Sequence, residues 1–269
     1  MVREKKQAQQ ARRYPQTEGT TIMNPASFPE TADIETSSPE YADRFSGEAG
    51  QFFLSEQTRI TLQLLECCQS KKVLDVGGAH CQLALPLVEK GYDLTITGSD
   101  PVCGQLAAER LPAGSFSYLT CNSLALPFAD RSFPVVLSFR LVPHASNWPA
   151  LLSELCRVSA EMVIIDYPDI RSFNLFYHLL FHLKKKMEGN TRTYSMFRRR
   201  QIAAAFAAHG LRHISFQPQF FWPMVVHRQL QNAALSAGIE RPARATGLTA
   251  LFGSPIIVCA TRSSAFHDT

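Results

Sequence analysis

The sequence predicts an α/β fold: a Rossmann-like, doubly wound, seven-stranded sheet, mostly parallel, with an antiparallel edge strand and a helical cap insert. Three observations predict it. Short apolar runs such as Val73-Leu74-Asp75-Val76 have the pattern of strands buried on both faces. They alternate with stretches of helical periodicity, as parallel sheets with right-handed crossovers require. The first run ends in the small residues Gly77-Gly78-Ala79. A small-residue turn at the carboxyl end of a parallel strand is where open α/β sheets receive ligands.

Residues 1–38 are rich in Gln, Thr, Ser, Glu and Pro and are expected to form a disordered N-terminal tail. Residues 39–269 are expected to form a single domain. From Tyr41, the apolar spacing of Phe45, Phe52, Phe53, Leu54, Ile60, Leu62, Leu64 and Leu65 predicts one or two helices with a break at Ser46-Gly47. They either cover one end of the sheet or close over a ligand. Strand one is Val73–Val76, and the helix from Gln82 to Lys90 stops at Gly91. Strand two, Asp93–Thr97, leads through Gly98-Ser99-Asp100-Pro101 into a helix from Val102 to Arg110. Ser115–Leu119 and Ser132–Ser138 are strands three and four. Trp148–Val158 carries Leu151, Leu152, Leu155 and Val158 at helical spacing, and Met162–Ile165 is strand five. Beyond it the pattern predicts helices at Phe173–Lys186 and Arg198–His209 and two last strands at Ile214–Phe221 and Pro255–Ala260, with a cap region at about 171–229.

The totals exclude several classes. The 269 residues are 45% hydrophobic, enough for one large α/β domain. A net charge of +4, carried in scattered clusters, does not suggest a nucleic-acid partner. The seven cysteines form no C-x-x-C pair and sit mostly in apolar runs, as buried free thiols of a reducing cytosol do. No metal-ligand spacing appears, and no metal is expected. No apolar run reaches the ~18 residues of a membrane span, and the charged N-terminus lacks the apolar core of a secretory signal. The expected location is cytoplasmic, with peripheral membrane contact left open.

The first turn admits two nucleotide-type ligands. A dinucleotide site requires G-x-G-x-x-G, and Gly77-Gly78-Ala79-His80-Cys81 matches it poorly. The alternative pattern is D-x-G-x-G-x-G, to which Asp75-Val76-Gly77-Gly78-Ala79-His80-Cys81 conforms with Ala79 and Cys81 at the second and third glycines. Asp100 ends strand two, 25 positions after Asp75. There it can accept both hydroxyls of a ribose or cap the helix after Pro101. The segment Cys121-Asn122-Ser123-Leu124-Ala125-Leu126-Pro127-Phe128-Ala129-Asp130-Arg131-Ser132-Phe133 follows. After strand four come Phe139-Arg140-Leu141-Val142-Pro143-His144 and the Leu152-Ser153-Glu154-Leu155-Cys156-Arg157-Val158 helix.

These four ordered motifs, over roughly residues 41–168, resemble the class I S-adenosylmethionine (SAM)-dependent methyltransferases. The nearest group is the one containing the ubiquinone/menaquinone C-methyltransferases and small-molecule O-methyltransferases. The resemblance implies SAM as cofactor, held by Asp75, Gly77, Gly78, Ala79, Asp100, Asn122, Ser123, Leu124 and Phe139. Asn122 stands where the family usually has Asp, and its carbonyl can still accept from an adenine amino group. Pro134 replaces a frequent Asp and removes a donor at the start of strand four.

Methyl transfer from a sulfonium is an in-line displacement, so the protein chiefly binds, aligns and excludes water. A base is needed only where the acceptor proton must leave early. His144 is the candidate base, or a helix-start histidine; Tyr167 lines the acceptor pocket or packs in the core. The aromatic residues of the cap suit a small apolar or aromatic acceptor. Lys184-Lys185-Lys186 either meet an acidic acceptor or headgroup or form a solvated helix end. The rival reading is a non-catalytic SAM-fold protein acting as a binding or scaffold partner, given Ala79, Cys81 and Asn122. An NAD-linked oxidoreductase is disfavoured by the missing third glycine, and a methyltransferase on nucleic acid or protein by the scattered charge.

Overall fold

The computed structural model describes residues 28–172 and 194–262. Its strands are β1 (Lys72–Val76), β2 (Asp93–Gly98), β3 (Phe116–Thr120), β4 (Phe133–Ser138), β5 (Ser159–Tyr167), β6 (Leu211–Pro218) and β7 (Ile256–Arg262). They form one sheet in the order β3-β2-β1-β4-β5-β7-β6. The first five pair in parallel. β7 runs antiparallel to both β5 and β6. The reversed strand therefore lies one in from the edge, and every strand except β7 ends on the same side. The register irregularity between β4 and β5 falls between Phe133 and Val135, at Pro134, whose ring nitrogen donates no ladder bond.

Around the sheet lie α1 (Ala32–Thr36), α2 (Pro39–Ala42), α3 (Gly47–Leu65), α4 (Ala84–Glu89), α5 (Cys103–Arg110), α6 (Trp148–Val158), α7 (Arg199–Ala208), α8 (Met224–Leu230), α9 (Ala233–Ala245) and α10 (Leu248–Phe252). The two-residue period of the strands sorts side chains to two cores. Leu74, Val76, Val136 and Val163 meet Leu151, Leu155 and Phe206 of α6 and α7 on one face. Val73, Leu94, Val135 and Ile164 meet Leu65, Leu87 and Ala107 of α3, α4 and α5 on the other. Each such fully buried aliphatic side chain contributes roughly 1.5–3 kcal/mol, so the sheet is held rigid beneath its carboxyl edge.

Two boundaries differ from expectation. The tail was expected to reach residue 38, yet Ala32 is buried in the first core and Asp33, Glu30 and Thr36 are buried polar groups. Those side chains bond to polar groups of the folded chain, a use that composition does not distinguish from disorder. The cap was expected at about 171–229, but β6 inside that range is a strand of the main sheet and α7 packs on the sheet through Ile202 and Phe206. A helical segment, α8 to α10, instead joins β6 to β7. The helix expected at Phe173–Lys186, with its lysine run, lies outside the described residues.

Candidate functional site at the carboxyl edge

At the end of β1 the chain needs residues without bulk. Gly77 has φ +73°, and a Cβ there would run into Leu141. A Cβ on Gly78 would fall on the Asp75 carboxylate beneath it. Asp75 is 1% exposed, and neither carboxylate oxygen has a hydrogen-bond partner among the described residues. Burial alone pushes its carboxyl up to about 7. Gly78, Ala79 and His80 form a 3-10 turn, and Cys81 follows at φ +59°, a backbone region that favours glycine. His80 is buried, with Nδ1 accepting from the Gln82 N–H at 3.3 Å and Nε2 3.3 Å from the Phe139 carbonyl. Burial first, and the Arg140 charge second, push the His80 ring down to about 3, so it stays neutral. Phe139, expected at the cofactor, has a fully buried ring inside the second core. Its side chain packs on the α3–α5 face rather than in the crevice, and its carbonyl lies against His80.

The next strand ends lie alongside. Gly77 N–H donates to the Thr97 carbonyl at 2.9 Å, and Cys121 N–H to the Gly98 carbonyl at 2.9 Å. Asp100 Oδ1 accepts from the Val102 N–H at 2.8 Å, closing the turn just before α5; the N-cap of α5 itself is Val102, with no side-chain cap bond. The Tyr118 hydroxyl donates to the Asp100 carbonyl at 2.7 Å, anchoring that loop. Asn122 Oδ1 accepts from the Leu124 N–H at 3.0 Å, closing a local turn. The Ser123 hydroxyl is buried without a partner among the described residues, and Leu124 packs on the first core. Glu154 and Arg157 pin this loop from α6. Glu154 accepts the Leu126 N–H at 2.7 Å. Arg157 donates to the carbonyls of Leu126 and Phe128 and to Asp130 at 2.8–2.9 Å. Two motifs about 30 residues apart in sequence are thus two halves of one network.

Past β4, Arg140 donates its backbone N–H to Asp166 Oδ1 at the end of β5 (2.6 Å). His144 closes a 3-10 turn, its ring edge-on to Tyr194 at 6.4 Å. Tyr167 is fully buried with its ring perpendicular to Phe197 at 6.0 Å, and its hydroxyl has no hydrogen-bond partner among the described residues. Burial raises that hydroxyl above the usual tyrosine range. The sheet edge thus gathers Asp75 on β1 with Gly77 and Gly78 just beyond it, Asp100 after β2 and Asn122 after β3. His144 stands after β4, and Tyr167 is the last residue of β5.

The N-terminal segment supplies residues that sequence reasoning missed. Asp33 accepts from both the backbone N–H and the hydroxyl of Ser99, each at 2.5 Å. Glu30 Oε2 accepts from the Ser146 N–H at 2.7 Å and its hydroxyl at 2.9 Å. The segment therefore straps the edge from the end of β2 to the loop after β4, over the glycine turn that α1 touches. Burial raises Asp33 above the usual carboxylate range, against the Ser99 bonds that lower it. No local signal marks these residues, because their partners lie 66 and 116 positions away.

Comparison with known proteins bears out the resemblance. Residues 74–162 match the methyltransferase-domain family. A demethylmenaquinone methyltransferase of Thermus thermophilus is 29% identical over 120 residues, covering 41% of this chain and 54% of the relative. One from Deinococcus radiodurans is 27% identical over 139 residues, 46% of this chain and 58% of the relative. The chain thus spans little more than half the length of these relatives. The magnesium protoporphyrin IX methyltransferase of Synechocystis PCC 6803, solved with bound SAH (S-adenosylhomocysteine), superposes with a TM-score of 0.55 at 13% identity, over 85% of this chain and 97% of that one. At that identity the likeness is one of fold. The matched segment, residues 74–162, is thus similar to a methyltransferase domain and lies within the seven-stranded sheet described above.

Proposed function

We propose that the protein is a SAM-dependent methyltransferase acting on a small apolar or aromatic acceptor. One observation carries the reading: the Asp75 carboxylate, fully buried and without a hydrogen-bond partner among the described residues, directly beneath the Gly77-Gly78 turn. A buried carboxylate left unpaired is costly, and a cationic ligand at the turn would relieve that cost. The residues around it fit the cofactor. Asp100 can accept ribose hydroxyls. The Ser123 hydroxyl, without a partner among the described residues, and the Asn122 amide would serve the adenine side, and the small turn permits close approach. SAM, when bound, supplies an electrophilic methyl carbon. The chain's part is to align and enclose: the Glu30–Asp33 strap excludes water, and the loop pinned by Arg157 holds the adenine-side residues in register. His144 is the group placed to hold a proton. The cluster of Phe52, Phe53 and Phe220, with ring centroids 5.2–6.1 Å apart, suits an apolar acceptor. So do the names of the curated relatives, which are demethylmenaquinone methyltransferases.

A second reading, a non-catalytic SAM-fold binding or scaffold protein, is favoured by Cys81 at φ +59° and by the engaged Asn122 carbonyl. Calorimetric titration with SAM, and separately with NADH, tests the cofactor; SAM binding without NADH binding is expected, and absence of SAM binding overturns the methyltransferase reading and leaves the scaffold one. Turnover across an acceptor panel then separates them.

A further inference from the structure

Arg140 stands where its backbone favours glycine. Its φ is +60°, and such outliers persist only where surroundings impose them, commonly at ligand sites. Three contacts impose it. Its N–H is held by Asp166. Its Nη2 donates to Gln57 Oε1 of α3 at 2.8 Å. Its guanidinium lies 3.8 Å over the Phe45 ring. The guanidinium is nevertheless unfinished, because Nε is buried with no hydrogen-bond acceptor among the described residues. A buried guanidinium N–H without an acceptor is uncommon. This cation sits at the carboxyl end of β4, next to the β1 turn, and the aromatic group of Tyr41, Phe45, Phe53 and Phe220 adjoins it.

We infer that Arg140 is the acceptor-recognition residue of this site, taking an anionic oxygen of a flat, apolar molecule whose ring rests against that aromatic group. A planar, delocalised guanidinium suits a carboxylate, or the ionised hydroxyl of a phenol or enol. The inference rests on the methyltransferase reading only in calling that molecule the acceptor.

The test compares 2-naphthoate with its neutral isostere 2-naphthamide, titrated calorimetrically with and without saturating SAH. The protein is expected to prefer naphthoate at least tenfold. Arg140→Gly, which restores the residue suited to φ +60°, should keep or raise the melting temperature and lose the preference. Arg140→Lys should keep part of it. A purely structural strut predicts the reverse, a lower melting temperature with the preference intact. Should the glycine variant not fold, Arg140→Gln, which keeps an unbranched polar side chain without the charge, carries the same comparison. No naphthoate binding, no preference in the parent protein, or a preference that survives in the folded variants each overturns the inference. Naphthoate preference without SAH binding would uphold it and remove the methyltransferase reading; SAH binding without the preference would do the opposite.

Discussion

Two buried carboxylates, one in the crevice and one in the helical segment after β6, have opposite circumstances. Asp75 and Glu240 are each 1% exposed. Asp75 has no partner among the described residues. Glu240 accepts the backbone N–H of Phe221 at 2.9 Å and of Trp222 at 3.0 Å, and lies 3.1 Å from His227 Nε2. His227 is in turn surrounded by Phe52, Phe53 and Phe220 at 5.5–5.6 Å. Equal burial thus means different things. Glu240 ties α8, α9 and the β6 exit together. Asp75 works against the fold's stability, as groups kept for a ligand do.

The sharpest way to break the contrast is to neutralise Asp75. Its carboxyl rises from 3.8 to about 7 on folding. An acid whose pKa is raised by folding stabilises the native state while protonated, below the unfolded value. That contribution is lost as pH rises from about 4 to about 7, and is absent above. With ~1.36 kcal/mol per unit, the charged form costs on the order of 4 kcal/mol at pH 8. Asp75→Asn should therefore stabilise the ligand-free protein by that order at pH 8 and by little at pH 4, measured by urea unfolding, while weakening SAM binding. Equal stability at both pH values would show that Asp75 is solvated after all.

The opposite sign is expected at the other carboxylate. Glu240→Ala leaves two backbone donors and His227 without their acceptor in an apolar setting. The cost should be about 3 kcal/mol in urea unfolding, with a changed near-ultraviolet signal from Trp222. A smaller effect is expected at the strap. Asp33→Ala removes two bonds to Ser99 and should cost about 2 kcal/mol. The accompanying sign is faster hydrogen exchange over residues 28–37, with SAM released more quickly. Unchanged exchange would mean that Asp33 does not hold the strap.

How much of this could be read from sequence follows the same divide. The β1 turn, the Asp100 loop and the Asn122 loop are built from neighbours in sequence, so short motifs revealed them. The helix boundaries came within two residues at Trp148–Val158 and Arg199–Ala208 because apolar periodicity and a terminal glycine are local signals. The strap, the Glu240 knot and Arg140 were not legible. Asp33 and Glu30 find partners far along the chain, α8 and α10 are short while α9 is broken in sequence by Gly238 and Pro242, and nothing local announces that an arginine will sit at φ +60°.

The smallest expected effect addresses the one acidic residue that the sequence left with two roles. Asp100 caps the turn before α5 through its bond to the Val102 N–H, a role that an Asn side chain performs equally well. Asp100→Asn should leave stability within about 0.5 kcal/mol, since only the charge is lost and the cap remains. Charge-assisted hydrogen bonds to a ribose would still be weakened, by ~1.5 kcal/mol, or about tenfold in SAM affinity. Asp100→Ala should lose the cap as well, costing about 1 kcal/mol of stability. If Asn preserves both stability and affinity, Asp100 is a cap alone, and the ribose must be held by another group on the carboxyl edge. If Asn preserves stability and loses affinity, the two roles coexist on one side chain, because the cap occupies Oδ1 and leaves the charge to serve the ligand.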